Sequence, residues 1–192
     1  MKVTLSFDVG TKNLAYCLIR DEDEKILDWN VVDIGAATYD KQCQKMIEAL
    51  DKIDYSIGYP ESVKQSIVVV IERQPCRNPK MRVISGQIQM YYALEKNACL
   101  NNDDLVFIDK VVYYSPKFKL KCYKPQPGDD SIINKKYKSD YTFRKDLAKQ
   151  HCKIMIKRNQ DNKWIELYNK NKGKADDLAD SFLQGIAYLR NI

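Results

Sequence analysis

SFDVGTKNLAYC, residues 6–17, ends one apolar run and begins another. The alternation of residues 2–8 stops at Asp8, Gly10 marks a turn, and residues 14–19 resume an apolar strand. Two other stretches place acids in comparable positions. SIVVVIE, residues 66–72, closes a β-branched run on Glu72, and KADDLADSFLQGIAYL, residues 174–189, carries Asp177 and Asp180 on the first turns of a terminal helix. A compact α/β fold can gather strand ends and a helix start into one pocket, so these four carboxylates read as one metal site. Oxygen ligands suit Mg²⁺ or Mn²⁺, and paired ions of this kind clamp a phosphodiester during hydrolysis.

The rest of the chain supplies a consistent order of elements. Residues 26–34 read as a third strand after the acidic turn DEDE, so the first 35 residues form an antiparallel meander. Cys43, Met46, Ile47 and Leu50 recur at helical spacing over about 40–54. The run 66–71 is too apolar for a half-exposed strand and reads as a central one buried on both faces. A helix over about 80–97 and a strand over 105–114 follow. Residues 115–140 are basic, Pro-bearing and weakly periodic, and read as a mobile loop. Helices over about 141–157 and 174–190 complete a single domain spanning 1–192.

Composition excludes several classes. The 192 residues are long enough for one good core, and no stretch approaches the roughly 18 apolar residues of a membrane span. The N-terminus lacks the pattern of a signal peptide, which points to an intracellular protein without membrane partners. Cys17, Cys43, Cys76, Cys99, Cys122 and Cys152 are spread without the paired spacing of zinc knuckles or redox dithiols, and His151 is the sole histidine. Reduced, mostly buried thiols are the expectation.

Net charge is +6 with a pI near 8.9. The positive charge concentrates between Lys117 and Lys149, including Lys119, Lys121, Lys135, Lys136, Arg144 and Lys145, with Tyr123, Tyr137 and Tyr141 interleaved. Such a run is either a solvated face or a phosphate-backbone surface. Beside a carboxylate cluster the nucleic-acid reading gains.

FDVGTKNLAYC resembles the first motif of poxvirus Holliday junction resolvases, relatives of bacterial RuvC and of fungal mitochondrial resolvases in the RNase H-like superfamily. VVVIERQ is similar to their second motif, whose Glu ends a central strand, and DDLADSFLQ to the third, where two Asp three residues apart open the last helix. The resemblance covers nearly the whole chain in order. It implies an RNase H-like fold, with a central mixed five-stranded sheet flanked by helices. It also implies Asp8, Glu72, Asp177 and Asp180 as catalytic metal ligands and Mg²⁺, replaceable by Mn²⁺, as the ion. A homodimer that resolves four-way and other branched DNA, in viral concatemer resolution, follows from the same resemblance. Action in the cytoplasm of an infected cell follows as well.

The chemistry of the residues agrees. Positions i and i+3 share a helix face, so Asp177 and Asp180 can point together, whereas Asp176 lies about 100° round and reads as a cap or helix-dipole partner. Two ions about 3.5 to 4 Å apart can activate water and stabilise the leaving oxygen. Lys119 lies where such resolvases present a lysine near the scissile phosphate and is assigned to stabilising developing negative charge. Lys12, Asn13, Arg73, Arg77, Lys80, Lys117, Lys121, Lys135, Lys136, Arg144 and Lys145 are assigned to DNA contact.

A two-fold dimer suits a four-way junction, and the helix bearing Met90, Tyr91 and Leu94 can present a self-complementary apolar face, although its periodicity slightly favours packing inside the domain. FDVGT also resembles the phosphate turn of actin and sugar kinases, but no second such turn or glycine-rich adenosine segment follows, so no nucleotide cofactor is expected. An RNase H-type nuclease on RNA·DNA hybrids and a non-catalytic junction-binding module remain as alternatives.

Overall fold

The computed structural model describes residues 1–55, 57, 63–99, 105–129, 139–159 and 161–192. Its core is a five-stranded mixed sheet of β1 (Lys2–Val9), β2 (Asn13–Arg20), β3 (Ile26–Asp33), β4 (Gln65–Glu72) and β5 (Val106–Tyr114), in the spatial order β3-β2-β1-β4-β5. β1 runs antiparallel to β2 and parallel to β4, and β5 extends the parallel half. Helices α1 (Tyr39–Leu50) and α2 (Pro79–Cys99) cover one face; α3 (Asp140–Arg158), α4 (Asn162–Lys170) and α5 (Ala175–Leu189) build the other.

Strand alternation fixes which side chains meet which layer. Val3, Leu5, Phe7 and Val9 of β1 pack with Ile67, Val69 and Ile71 of β4 against α1 and α2. The intervening residues of β1, Thr4, Ser6 and Asp8, therefore turn towards α5, which packs on β1 and β2. Small buried polar residues at positions 4 and 6 let the helix come close. The indole of Trp29 in β3 donates to the carbonyl of Leu178 at 3.1 Å and to Ser181 Oγ at 3.2 Å, tying the first turns of α5 to the sheet.

The β1–β2 turn depends on Gly10. Its N–H donates to the carbonyl of Asn13 at 2.9 Å, and a Cβ there would lie 2.7 Å from that oxygen, so a larger residue would force the turn open.

The expected elements are present with ends displaced by a few residues, and two features differ. Within the stretch read as a mobile loop, Pro116–Lys121 forms a 3₁₀ helix packed against α5. α4 was not expected: its nine residues bury Trp164 and Tyr168 in the core, with Ile165 and Leu167 partly buried beside them, and the Trp164 indole donates to the carbonyl of Ile26 at 3.0 Å. Among the described residues no helix is long and apolar enough to cross a membrane. Cys17, Cys43, Cys76, Cys122 and Cys152 are free thiols.

Candidate active site

The parallel pairing of β1 with β4 ends at Phe7 opposite Ile71, so the next residues, Asp8 and Glu72, leave the two strand ends side by side. α5 starts against the same edge and brings Asp180. At the meeting point lies Lys119, delivered by the 3₁₀ helix: its Nζ is 3.0 Å from Asp8 Oδ1, 2.9 Å from Glu72 Oε2 and 3.4 Å from Asp180 Oδ2. Side-chain exposure is 6% for Lys119, 14% for Glu72, 16% for Asp8 and 32% for Asp180, so the cluster opens to solvent on the α5 side.

Burial and proximity divide the charge unevenly. Burial, then the hydrogen bond shared with Asp8, pushes Glu72 up to about 8. Burial opposes ionisation of Asp8 too, but the Lys119 ammonium and hydrogen bonds from Glu72 and Lys119 outweigh it and hold Asp8 below the usual carboxylate range. Of the two, Glu72 is therefore the carboxylate that holds a proton more readily. Burial raises Asp180 to about 6 against the pull of Lys119, with the Asp8 charge adding to the rise. Lys119 is firmly protonated: burial disfavours its charge, and Asp8, Asp180 and Glu72 more than restore it.

Asp177 stands at the margin of this group. Asn13 Nδ2 donates to its Oδ2 at 2.9 Å, and burial, then the charges of Asp176 and Asp8, raise its pKa. Asp176 points elsewhere: it forms a 2.5 Å ion pair with Lys145 of α3 and makes no side-chain cap, although its place in the first turn still suits the helix dipole. Lys145 thereby ties α3 to α5.

Among the described residues, no three acidic, histidine or cysteine side chains have the spacing of ready-made metal ligands. Lys119 gives the reason, since its ammonium occupies the point on which oxygens from β1, β4 and α5 converge. That donor set, all carboxylate and open on one side, fits a hard divalent cation.

The other described basic residues assigned to DNA contact are exposed, apart from Lys145. Thr11, Lys12, Asp33, Gly35, Thr38, Tyr39, Gln42 and Lys80 line an open groove of about 640 Å³, whose Lys12 wall adjoins Asn13 in the chain. Arg73 and Arg77 are exposed beyond Glu72, and Arg144 is exposed on α3. Lys117 and Lys121 are exposed and lie over the Phe118 ring, 4.9 and 5.4 Å from its centroid. Asn13 is occupied with Asp177. Lys135 and Lys136 lie outside the described residues. Sequence reading did not find Gln184, which is fully buried beneath the site; its only signal is its place one turn after Asp180.

No family model matches the sequence. An uncharacterised protein of Acanthamoeba polyphaga mimivirus, L451, is 34% identical over 128 residues, which cover 65% of this chain and 29% of that protein. The chain spans less than a third of that relative's length. The solved structure of the Fowlpox virus resolvase with its substrate Holliday junction DNA overlays with a TM-score of 0.59 at 18% identity, over 98% of this chain and 97% of that one. The Fowlpox virus Holliday junction resolvase alone gives 0.57 at 17% identity over 99% of each chain. The yeast mitochondrial Holliday junction resolvase Ydc2 gives 0.51 at 18%, over 97% of this chain and 77% of that one. With its mixed five-stranded sheet and two helical layers, the chain has the RNase H-like fold of these resolvases.

Proposed function

We propose that this protein is a structure-selective endonuclease that resolves four-way (Holliday) and other branched DNA by paired, metal-dependent phosphodiester hydrolysis. The observation that carries the proposal is the convergence of Asp8, Glu72 and Asp180, from three elements, on one cationic nitrogen at an exposed edge. Similarity in fold to resolvases, one of them seen with junction DNA, supports the substrate class. The viral source of two of those structures and of the mimivirus relative supports a role in viral concatemer resolution, in an infected cell's cytoplasm.

Asp8, Glu72, Asp180 and, from the margin, Asp177 would hold Mg²⁺ or Mn²⁺, as one ion or two. The ion would supply a deprotonated water at neutral pH and neutralise charge on the leaving oxygen. Holding a cation there would require Lys119 to give up its carboxylate partners and Glu72 its proton. The Lys119 ammonium would then be free to stabilise negative charge developing on the phosphate. Asn13 keeps Asp177 oriented.

DNA contact falls to Lys12 and Lys80 in the groove, with Arg73, Arg77, Lys117, Lys121 and Arg144 around it. A second copy supplies the second cut. Met90 and Leu94, each 61% exposed, and Val83, 50% exposed, form a stripe along the outer face of α2. They do not pack inside the domain, which favours their use in a two-fold dimer. Tyr91, by contrast, is half-buried and donates to Asp51 Oδ1 at 2.7 Å within the chain.

A substrate panel tests the proposal: a four-way junction, a linear duplex and an RNA·DNA hybrid, each with Mg²⁺. Cutting of the junction in preference to the other two is expected. Cutting of the hybrid alone would assign a ribonuclease, and tight junction binding without cutting would assign a binding module.

A further inference from the structure

Gln184 is a fully buried polar side chain on α5, one turn beyond Asp180 and two beyond Asp177, on the face those acids share. Its Nε2 donates to Ser6 Oγ at 3.1 Å, to the carbonyl of Phe7 at 3.0 Å and, more weakly, to the carbonyl of Val70 at 3.4 Å. Phe7 immediately precedes Asp8, and Val70 stands two residues before Glu72. One amide therefore reaches the backbones of both site strands, where their pairing ends.

The orientation of that amide is fixed. Backbone carbonyls only accept, so nitrogen must face them, and Oε1 is left buried without a partner. A leucine at this position would remove the unpaired Oε1 but would also take the donor from the buried Ser6 Oγ and from the Phe7 and Val70 carbonyls. The neighbouring residue shows how close the contact is: a Cβ on Gly185 would come within 2.6 Å of Ile19 Cδ1 and 3.1 Å of Ser6 Cβ. Helix and sheet are pressed together here, with the Gln184 amide lying between them.

We propose that Gln184 is a positioning residue that clamps α5 to β1 and β4, fixing Asp177 and Asp180 relative to Asp8 and Glu72. In doing so it sets the affinity of the carboxylates for a divalent cation. This rests on the functional reading above for the identity of the site. The clamp itself makes a separate claim about cation binding without DNA.

Calorimetric titration of the metal-free protein with Mn²⁺, beside thermal melts and the Mg²⁺ dependence of junction cutting, tests it in the Gln184→Leu variant. Expected is about a tenfold loss of Mn²⁺ affinity and a matching rise in the Mg²⁺ needed for half-maximal rate. The variant should still unfold in a cooperative transition, and excess Mg²⁺ should restore the rate. Unchanged Mn²⁺ affinity in the folded variant overturns the clamp. Ser6→Ala, which removes one acceptor with little change in volume, supplies the same comparison if the leucine variant does not fold; an affinity equal to the parent's would again overturn it. A parent protein that binds Mn²⁺ but never cuts junctions sinks the functional reading while the Mn²⁺ affinities still judge the clamp. A parent that binds no Mn²⁺ overturns the clamp itself.

Discussion

Lys119 Nζ donates to Glu72 Oε2 at 2.9 Å from a side chain only 6% exposed. The ammonium neutralises a carboxylate cluster that would otherwise repel itself. Lys119→Met should therefore destabilise the metal-free protein by about 3–5 kcal/mol, the usual cost of stripping one partner from a buried ion pair. For a chain of this size that is a fall in melting temperature on the order of 10 °C. Mg²⁺ should recover more of it in the variant than it adds to the parent. Melting curves in chelator and in Mg²⁺ check both; equal melting temperatures in chelator would count against Lys119 as the internal counter-ion.

The shifted acids give a pH signature. Glu72 is pushed up to about 8, first by burial and then by its bond to Asp8, so the folded protein holds this proton more tightly than the unfolded chain does. That contribution to stability is complete in the ordinary carboxylate range and is lost as pH rises through about 8. His151 acts in the opposite sense and lower down, because burial lowers its pKa to about 4. Above pH 7 the His151 contribution is constant. Metal-free stability should then fall from pH 7 to 9 while Mn²⁺ affinity rises, as the cation displaces a proton that becomes easier to lose. Melting and calorimetry at three pH values measure both slopes, and Glu72→Gln should flatten them.

Asn13 separates two readings. The sequence placed it on DNA, whereas the structure has it donating to Asp177 Oδ2 at 2.9 Å. A hydrogen bond to a charged group contributes about 1.5–3 kcal/mol. Asn13→Ala should weaken divalent-cation binding by about tenfold and leave junction affinity in chelator unchanged. Reduced DNA affinity with intact cation binding would restore the DNA-contact assignment.

Lys12 and Lys80 face the open groove. If both meet phosphates, the double alanine variant should lower the slope of log affinity against log salt by about two, with the loss spread evenly over junctions of different sequence. Binding titrations across a salt series measure it, and an unchanged slope would move the DNA path away from this groove.

The sheet and the acids were legible because β1 alternates, β4 is a continuous β-branched run, and each strand's acid falls where its apolar pattern stops. Asp8 and Glu72 needed only strand ends brought together, which parallel pairing does. Other features were closed to sequence reading. Lys119 was singled out through the resemblance, but its burial was not, because the basic run around it looks solvated and only tertiary packing sets its ammonium among carboxylates. The pairing of Asp176 with Lys145 joins two helices across 31 residues of sequence, a contact that no local pattern shows. α4 is only nine residues long, and its apolar positions, Trp164, Ile165, Leu167 and Tyr168, span little more than one turn, too short a stretch to stand out as a period. The exposure of Met90 and Leu94 depended on which face of α2 meets the sheet, since Ile84, Ile88 and Tyr92 are buried on the other side.

The most direct test incubates the protein and its Asp8→Asn variant with a four-way junction labelled on opposed strands, with and without Mg²⁺. Symmetrically paired, ligatable nicks are expected from the parent in Mg²⁺ alone, with the variant binding the junction at similar affinity but cutting at least about a hundredfold more slowly. Equal cutting by the variant, or cutting by the parent in chelator, would contradict a metal-dependent site built on Asp8.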